Sequence, residues 1–239
     1  MKSTDFFSCG FFHKLHELKN DLHAIDNFYS HIQNYWIDVE ENINNSIEKK
    51  LKNTEKKHHE HVIDIYIYDL IDAQDRAPRF YRETVFVSIL SQVEYYLLEY
   101  CSLFNQEVLC GEDIFNNLNH KNVLNNIYKN MIDSMEFNTE SFSDEWSYLK
   151  NIKLIRNSLV HSSGRVNKNV EKIKRFCEKN KNFELKEGFI TLGKNTINDV
   201  INTLITLIEK LENEQEKCIE RHQEKFGIYN VMVNYNNKK

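Results

Sequence analysis

Apolar residues in the first quarter of the chain recur at steps of three and four: Leu15, Leu18, Leu22, Ile25, Phe28/Tyr29, Ile32, Tyr35/Trp36, Val39, Ile43, Ile47 and Leu51. That spacing lines one face of a helix. Nothing after Gly10 breaks it, so residues 11–57 read as one or two amphipathic helices. A second pattern, with Phe80, Val85, Ile89, Val93, Leu97 and Tyr100, runs to about residue 105 and is apolar on most faces. It predicts a central buried helix, with Pro78 in its first turn and Asp75 as its cap. Further helices are expected over residues 119–135, from Ser143 to a stop at Ser162-Ser163-Gly164, over 170–180, and from Ile197 to about Arg221. Between the first two patterns, residues 62–68 (VIDIYIY) alternate ambiguously and fit either a short strand or an irregular buried connection. Residues 183–192, with Gly188 in the middle, alternate as a small hairpin.

The expected architecture is therefore an all-α helical bundle with a long N-terminal helix and a small C-terminal β-hairpin. Residues 1–74 form a helical arm, 75–222 the main helical domain and 223–239 a flexible tail, together one compact unit. Composition agrees: 41% hydrophobic residues fill a core, while one proline and six glycines are too few for an all-β chain. A formal charge of −5 excludes a protein that binds duplex DNA by coating it with cations. No apolar run approaches the ~20 residues a membrane helix needs, and no secretory signal is expected. Five cysteines without a repeated spacing point to a reducing cytoplasm rather than a disulfide framework.

The densest chemistry lies in the run Leu154-Ile155-Arg156-Asn157-Ser158-Leu159-Val160-His161-Ser162-Ser163-Gly164. A histidine near neutral pKa can move the proton of an RNA 2′-hydroxyl or of a leaving oxygen. A permanently charged, fork-shaped arginine can hold the phosphate. Asn157 can orient either. The bland alternative is a helix end where Arg156 and His161 merely offset the dipole and cap carbonyls. Helix geometry puts Asn157 about 40° from His161 but Arg156 about 140° from it. Either the last turn distorts, or a second copy completes the site across a symmetric contact, an option that an exposed Leu154 favours.

The run IRNSLVH resembles the Arg-x(4–6)-His signature of the HEPN superfamily (higher eukaryotes and prokaryotes nucleotide-binding), in which a polar residue, often asparagine, follows the arginine. Arg79-Phe80-Tyr81-Arg82-Glu83-Thr84 leading into Val87-Ser88-Ile89 and Val93-Glu94 is similar to the upstream core helix of these proteins. The likeness covers roughly residues 75–215. It implies an all-α bundle, homodimers with motifs facing across the interface, and metal-independent endoribonuclease activity on single-stranded RNA in toxin–antitoxin or antiviral systems. It also implies Arg156 and His161 as catalytic residues with Asn157 as auxiliary, and an antitoxin or other defence protein as a possible partner. Ser163 stands where one toxin subgroup has a tyrosine, so features tied to that tyrosine do not transfer. Some members lack nuclease activity, which keeps a helical binding or scaffold protein as the alternative.

Arg165, Lys168, Lys172, Lys174 and Arg175 follow the motif, as an RNA-guiding set or as an ordinary solvated face. Glu83 and Glu94 are within reach of the motif, as a carboxylate tuning His161 or as a salt bridge to Arg79 or Arg82. His58, His59 and His61 lack an established zinc spacing and read as a solvated helix end. No cysteine shows a nucleophile's partners. No P-loop, dinucleotide glycine pattern or serine-hydrolase elbow occurs, so neither cofactor nor metal is expected.

Overall fold

The computed structural model describes residues 10–107 and 122–236. In chain order these form α1 (Gly10–Lys52), α2 (His59–Ile71), α3 (Ala77–Glu107), α4 (Val123–Asp133), α5 (Ser143–Ser162), α6 (Val170–Lys179), β1 (Phe183–Lys186), β2 (Phe189–Leu192) and α7 (Thr196–Asn236). The fold is an all-α bundle with one small antiparallel hairpin. Helix α3 is its axis, with α1, α4, α5 and α7 packed against it. Phe86, Ile89, Leu90, Val93, Leu97, Tyr100, Cys101 and Phe104 of α3 are all buried. The spread of these positions around the helix explains its apolar character on most faces.

The N-terminal half of α1 is part of that core: Phe11, Leu15, Leu18, Leu22 and Tyr29 join the same cluster as α3. Its free N–H groups are capped at long range, since Gly10 and Phe11 each donate to the Glu107 carboxylate at 3.0 Å. Along the seam between the helices, Tyr96 donates to Asp21 at 2.7 Å. That bond, with burial, pushes the phenol up to about 12. The distal half of α1 pairs instead with α2.

Residues 62–68 are neither strand nor irregular connection; they lie within α2. The inward positions Val62, Tyr66, Leu70 and Ala73 keep helical spacing. Ile63, Ile65, Ile67 and Ile71 are exposed and masked that period. Nor does Asp75 cap a new helix. A five-residue π turn, Asp72–Arg76, joins α2 to α3, closed by the Ala77 N–H on the Asp72 carbonyl. Proline lacks an N–H and crowds the carbonyl four residues back, and the wider turn in front of Pro78 relieves both defects. Asp75 instead faces Arg79 at 3.6 Å.

Helix α4 begins at Val123; residues 119–121 of the expected helix lie outside the described residues. Helix α7 runs to Asn236, well past Arg221 and through most of the segment expected to be a loose tail. The hairpin turns at Glu187 and Gly188, both with positive φ (50° and 82°), the two-residue turn whose twist matches antiparallel strands. Phe183 at its base packs between Phe86 and Phe176, with ring centroids 6.0 and 5.2 Å away.

The C-terminus of α5 is fastened to this hairpin. Ser163 is left-handed, and the Gly164 N–H returns to the Ser158 carbonyl at 3.0 Å. Beyond it, Ile190 donates to Gly164 (2.9 Å) and Val166 to Gly188 (2.8 Å). Gly164 has φ +84°, and a Cβ there would meet the Ile190 carbonyl at 3.4 Å. Gly164→Ala should therefore lower stability by about 1–2 kcal/mol in urea unfolding.

Glu214 ties α7 to the turn before α5, accepting from the Asn138 N–H at 2.8 Å and from Lys217 at 2.7 Å. Burial raises its carboxyl, but Lys217 and the Asn138 N–H outweigh burial and hold it below the ordinary value. A depressed carboxylate adds stability above its unfolded pKa and loses it as pH falls through the folded one. Urea unfolding followed into acid should show this loss, and Glu214→Gln should flatten it.

Candidate functional site

Helix α5 remains α-helical to Ser162. The last turn does not distort, so Arg156 and His161 keep the angular separation that a straight helix imposes. His161 is exposed in the final turn, with no hydrogen-bond partner for its ring among the described residues. Leu154, expected to be exposed, is half-buried against the core; the exposed apolar residue next to His161 is Val160.

Arg156 is the ordered member of the motif. Its Nη1 donates to Asn157 Oδ1 at 3.1 Å and its Nη2 to Glu94 Oε2 at 3.2 Å. Nε is buried without a partner. The other oxygen of Glu94 is in contact with Lys153 Nζ. One carboxylate from the central helix thus sits between two cations one helical turn apart on α5, each about one-fifth exposed. Glu94 pairs with neither Arg79 nor Arg82, and its two charged partners are Arg156 and Lys153 rather than His161. Glu83 forms no ion pair among the described residues; burial raises its carboxyl against the opposing pull of Arg79 and Arg82.

Asn157 opens onto a small cavity of about 220 Å³ between α4, α5 and α6. Its lining is strongly polar: Asn122, Asn125, Lys150, Lys153, Asn157 and Lys172, with Leu124 and Leu154 behind. Lys150 and Lys153 join this group because α4 covers α5 at that point, a contact that the spacing of residues along the chain does not reveal. Lys150 rests 4.7 Å from the Tyr128 ring centroid, and Tyr128 in turn packs against Trp146 and Phe142. The aromatic cluster beneath α5 therefore holds one wall of the cavity.

Of the five basic residues after the motif, Lys172 is brought to this cavity. Lys174 lines a different groove with Lys181 and Lys186 beside the hairpin. Arg165, Lys168 and Arg175 are exposed around α6. Ile173 and Phe176 are the buried face of α6, which directs Lys172 and Lys174 to opposite flanks.

Burial pushes the thiols of Cys101 and Cys177 up, and that of Cys218 up to about 11, which keeps the thiolate scarce at neutral pH. His59 faces the Thr54 carbonyl at 3.0 Å. Among the described residues, no three His, Cys, Asp or Glu side chains stand together as a metal site. No described helix is long and apolar enough to cross a membrane.

No family model, curated protein or solved structure matches the chain.

Glu94→Gln removes the charge that holds Lys153 and Arg156 together while keeping the side chain's volume. Stability should fall by about 1–3 kcal/mol in chemical denaturation, because two partly buried cations are left facing each other.

Proposed function

We propose that the protein is a metal-independent endoribonuclease acting on single-stranded RNA as the effector of a toxin–antitoxin or antiviral defence system, and that it works as a homodimer. The observation that supports this best is the placement of Arg156. Its guanidinium is held by Glu94 and by Asn157, which lines the lysine-rich cavity, and it lies on the same helix as an exposed histidine.

The chemistry follows from these groups. Arg156 binds a non-bridging phosphate oxygen and stabilises the charge that grows there. Its attachment to Glu94 is a pre-orientation: the fork is held before substrate arrives, so less entropy is lost on binding. Lys153 and Lys172 neutralise the flanking phosphate. His161 takes the proton of the 2′-hydroxyl as it attacks phosphorus, or gives one to the departing 5′-oxygen. The products are a 2′,3′-cyclic phosphate and a 5′-hydroxyl. Because the straight α5 holds Arg156 and His161 apart, the second copy supplies the complementary member of each pair.

A scaffold protein that kept the bundle without the chemistry is the second reading. The exposed Ile63, Ile67, Ile71 and Phe80 favour it, since they form apolar surface remote from the motif.

End-labelled single-stranded RNA incubated with the protein in EDTA distinguishes the two. Cleavage that drops by about 100-fold or more in His161→Ala and Arg156→Ala, with folding intact, supports the nuclease. Equal cutting by wild type and both variants removes these residues from the mechanism. No cutting by any of them favours the scaffold.

A further inference from the structure

Helix α2 carries apolar residues on every side but is covered on only one. It packs chiefly on α1 and the π turn, with Val62, Tyr66, Leu70 and Ala73 on its inner face. Ile63, Ile67 and Ile71 are 44, 37 and 38% exposed, and their four-residue spacing makes one ridge next to that face. Ile65 and Tyr68 are exposed farther round the helix. A helix apolar all round is normally buried, and contiguous apolar surface of this kind marks an association site.

The charge around the ridge is divided end to end. At the tip where α1 turns into α2, residues 49–61 hold Lys49, Lys50, Lys52, Lys56 and Lys57 against Glu55 and Glu60. At the other end, residues 64–79 hold Asp64, Asp69, Asp72 and Asp75 against Arg76 and Arg79. All these lysines and aspartates are exposed. Glu40 of α1 adds to the acidic end, where it accepts from Gln74 at 2.8 Å. The tip is thus net positive and the far end net negative, with the isoleucines between them.

A two-fold contact must be self-complementary, because the same patch is used by both copies. We propose that the α2 ridge is a self-association surface, and that its occupant is the same ridge of a second copy running antiparallel. Ile67 then falls on the two-fold axis and Ile63 meets Ile71. Each basic tip reaches the acidic end of the other copy, whereas a parallel arrangement would set lysines against lysines. The two α1–α2 hairpins together make a four-helix bundle. The thirteen residues of α2 span about 20 Å, so its strip covers less than the ~800 Å² per partner of a standard interface. The contact is accordingly weak and concentration-dependent. It lies on a different helix from Arg156 and His161 and does not rest on the nuclease reading; copies already paired through α5 are joined by it into a larger assembly.

Sedimentation of the full chain over a range of micromolar concentrations tests it. The mean mass should rise with concentration, and Ile67→Glu should halve the mass reached at the top of the range while circular dichroism shows the same helix content. Lys56→Glu combined with Lys57→Glu should weaken association by about tenfold or more, and so should Asp72→Lys combined with Asp75→Lys. All four changes in one chain should restore it, since an acidic tip again meets a basic end. The proposal is overturned if Ile67→Glu has the wild-type mass at every concentration, which leaves the ridge to a different protein or to solvent. It is overturned equally if the chain with all four changes associates as weakly as its two parents, which excludes the antiparallel run.

Discussion

Helix α3 buries most of its circumference, leaving one stripe through Phe80, Thr84, Ser88, Ser91 and Tyr95 in water, and this constraint organises the molecule. A helix surrounded by α1, α4, α5 and α7 must find partners on other elements for every charge it carries inward. Two such charges matter. Glu94 meets Arg156 and Lys153 on α5, and Arg82 reaches back to Tyr29 on α1 and forward to the Leu192 carbonyl on β2. The first is over-supplied with counter-charge, whereas the second has no carboxylate at ion-pair distance among the described residues. Both arrangements are thus consequences of polar residues on a helix whose surroundings are otherwise apolar.

The hairpin matters to the motif although it contains none of it. Its bonds to Gly164 and Val166 anchor the chain leaving α5, so the turn that presents His161 is braced from outside the helix. The side chain is exposed while its backbone is fixed, a combination suited to a group that must reach a substrate from a constant position.

The helices were legible from sequence where one face alone is buried. The stripe from Leu15 to Tyr29, the stop at Ser162–Gly164 and the alternation around Gly188 all follow from local rules that packing did not override. Residues 62–68 were not legible, because isoleucines on the exposed side of α2 filled in the polar positions by which a helical period is recognised. The motif residues were visible as chemistry, and Glu94 was visible as a neighbour. Its division between Arg156 and Lys153 was not, nor was the gathering of Lys150, Lys153 and Lys172 around Asn157. Those depend on how α3, α4 and α6 are laid across α5, and no spacing along one helix encodes a contact between four.

The π turn before Pro78 also sets a phase. A helix advances about 100° per residue, and the wide turn absorbs one residue more than an α turn would. Val62, Tyr66 and Leu70 face α1, and Phe86 and Ile89 face the bundle, only because that extra residue lies between the two sets. Losing one residue from the exposed stretch around Asp72 would leave every remaining side chain chemically unchanged. It would nonetheless swing α2 by roughly a quarter of a turn, bringing the outer isoleucines toward α1 and the inner residues out to water. In this exposed part of the chain, then, length is constrained more tightly than composition.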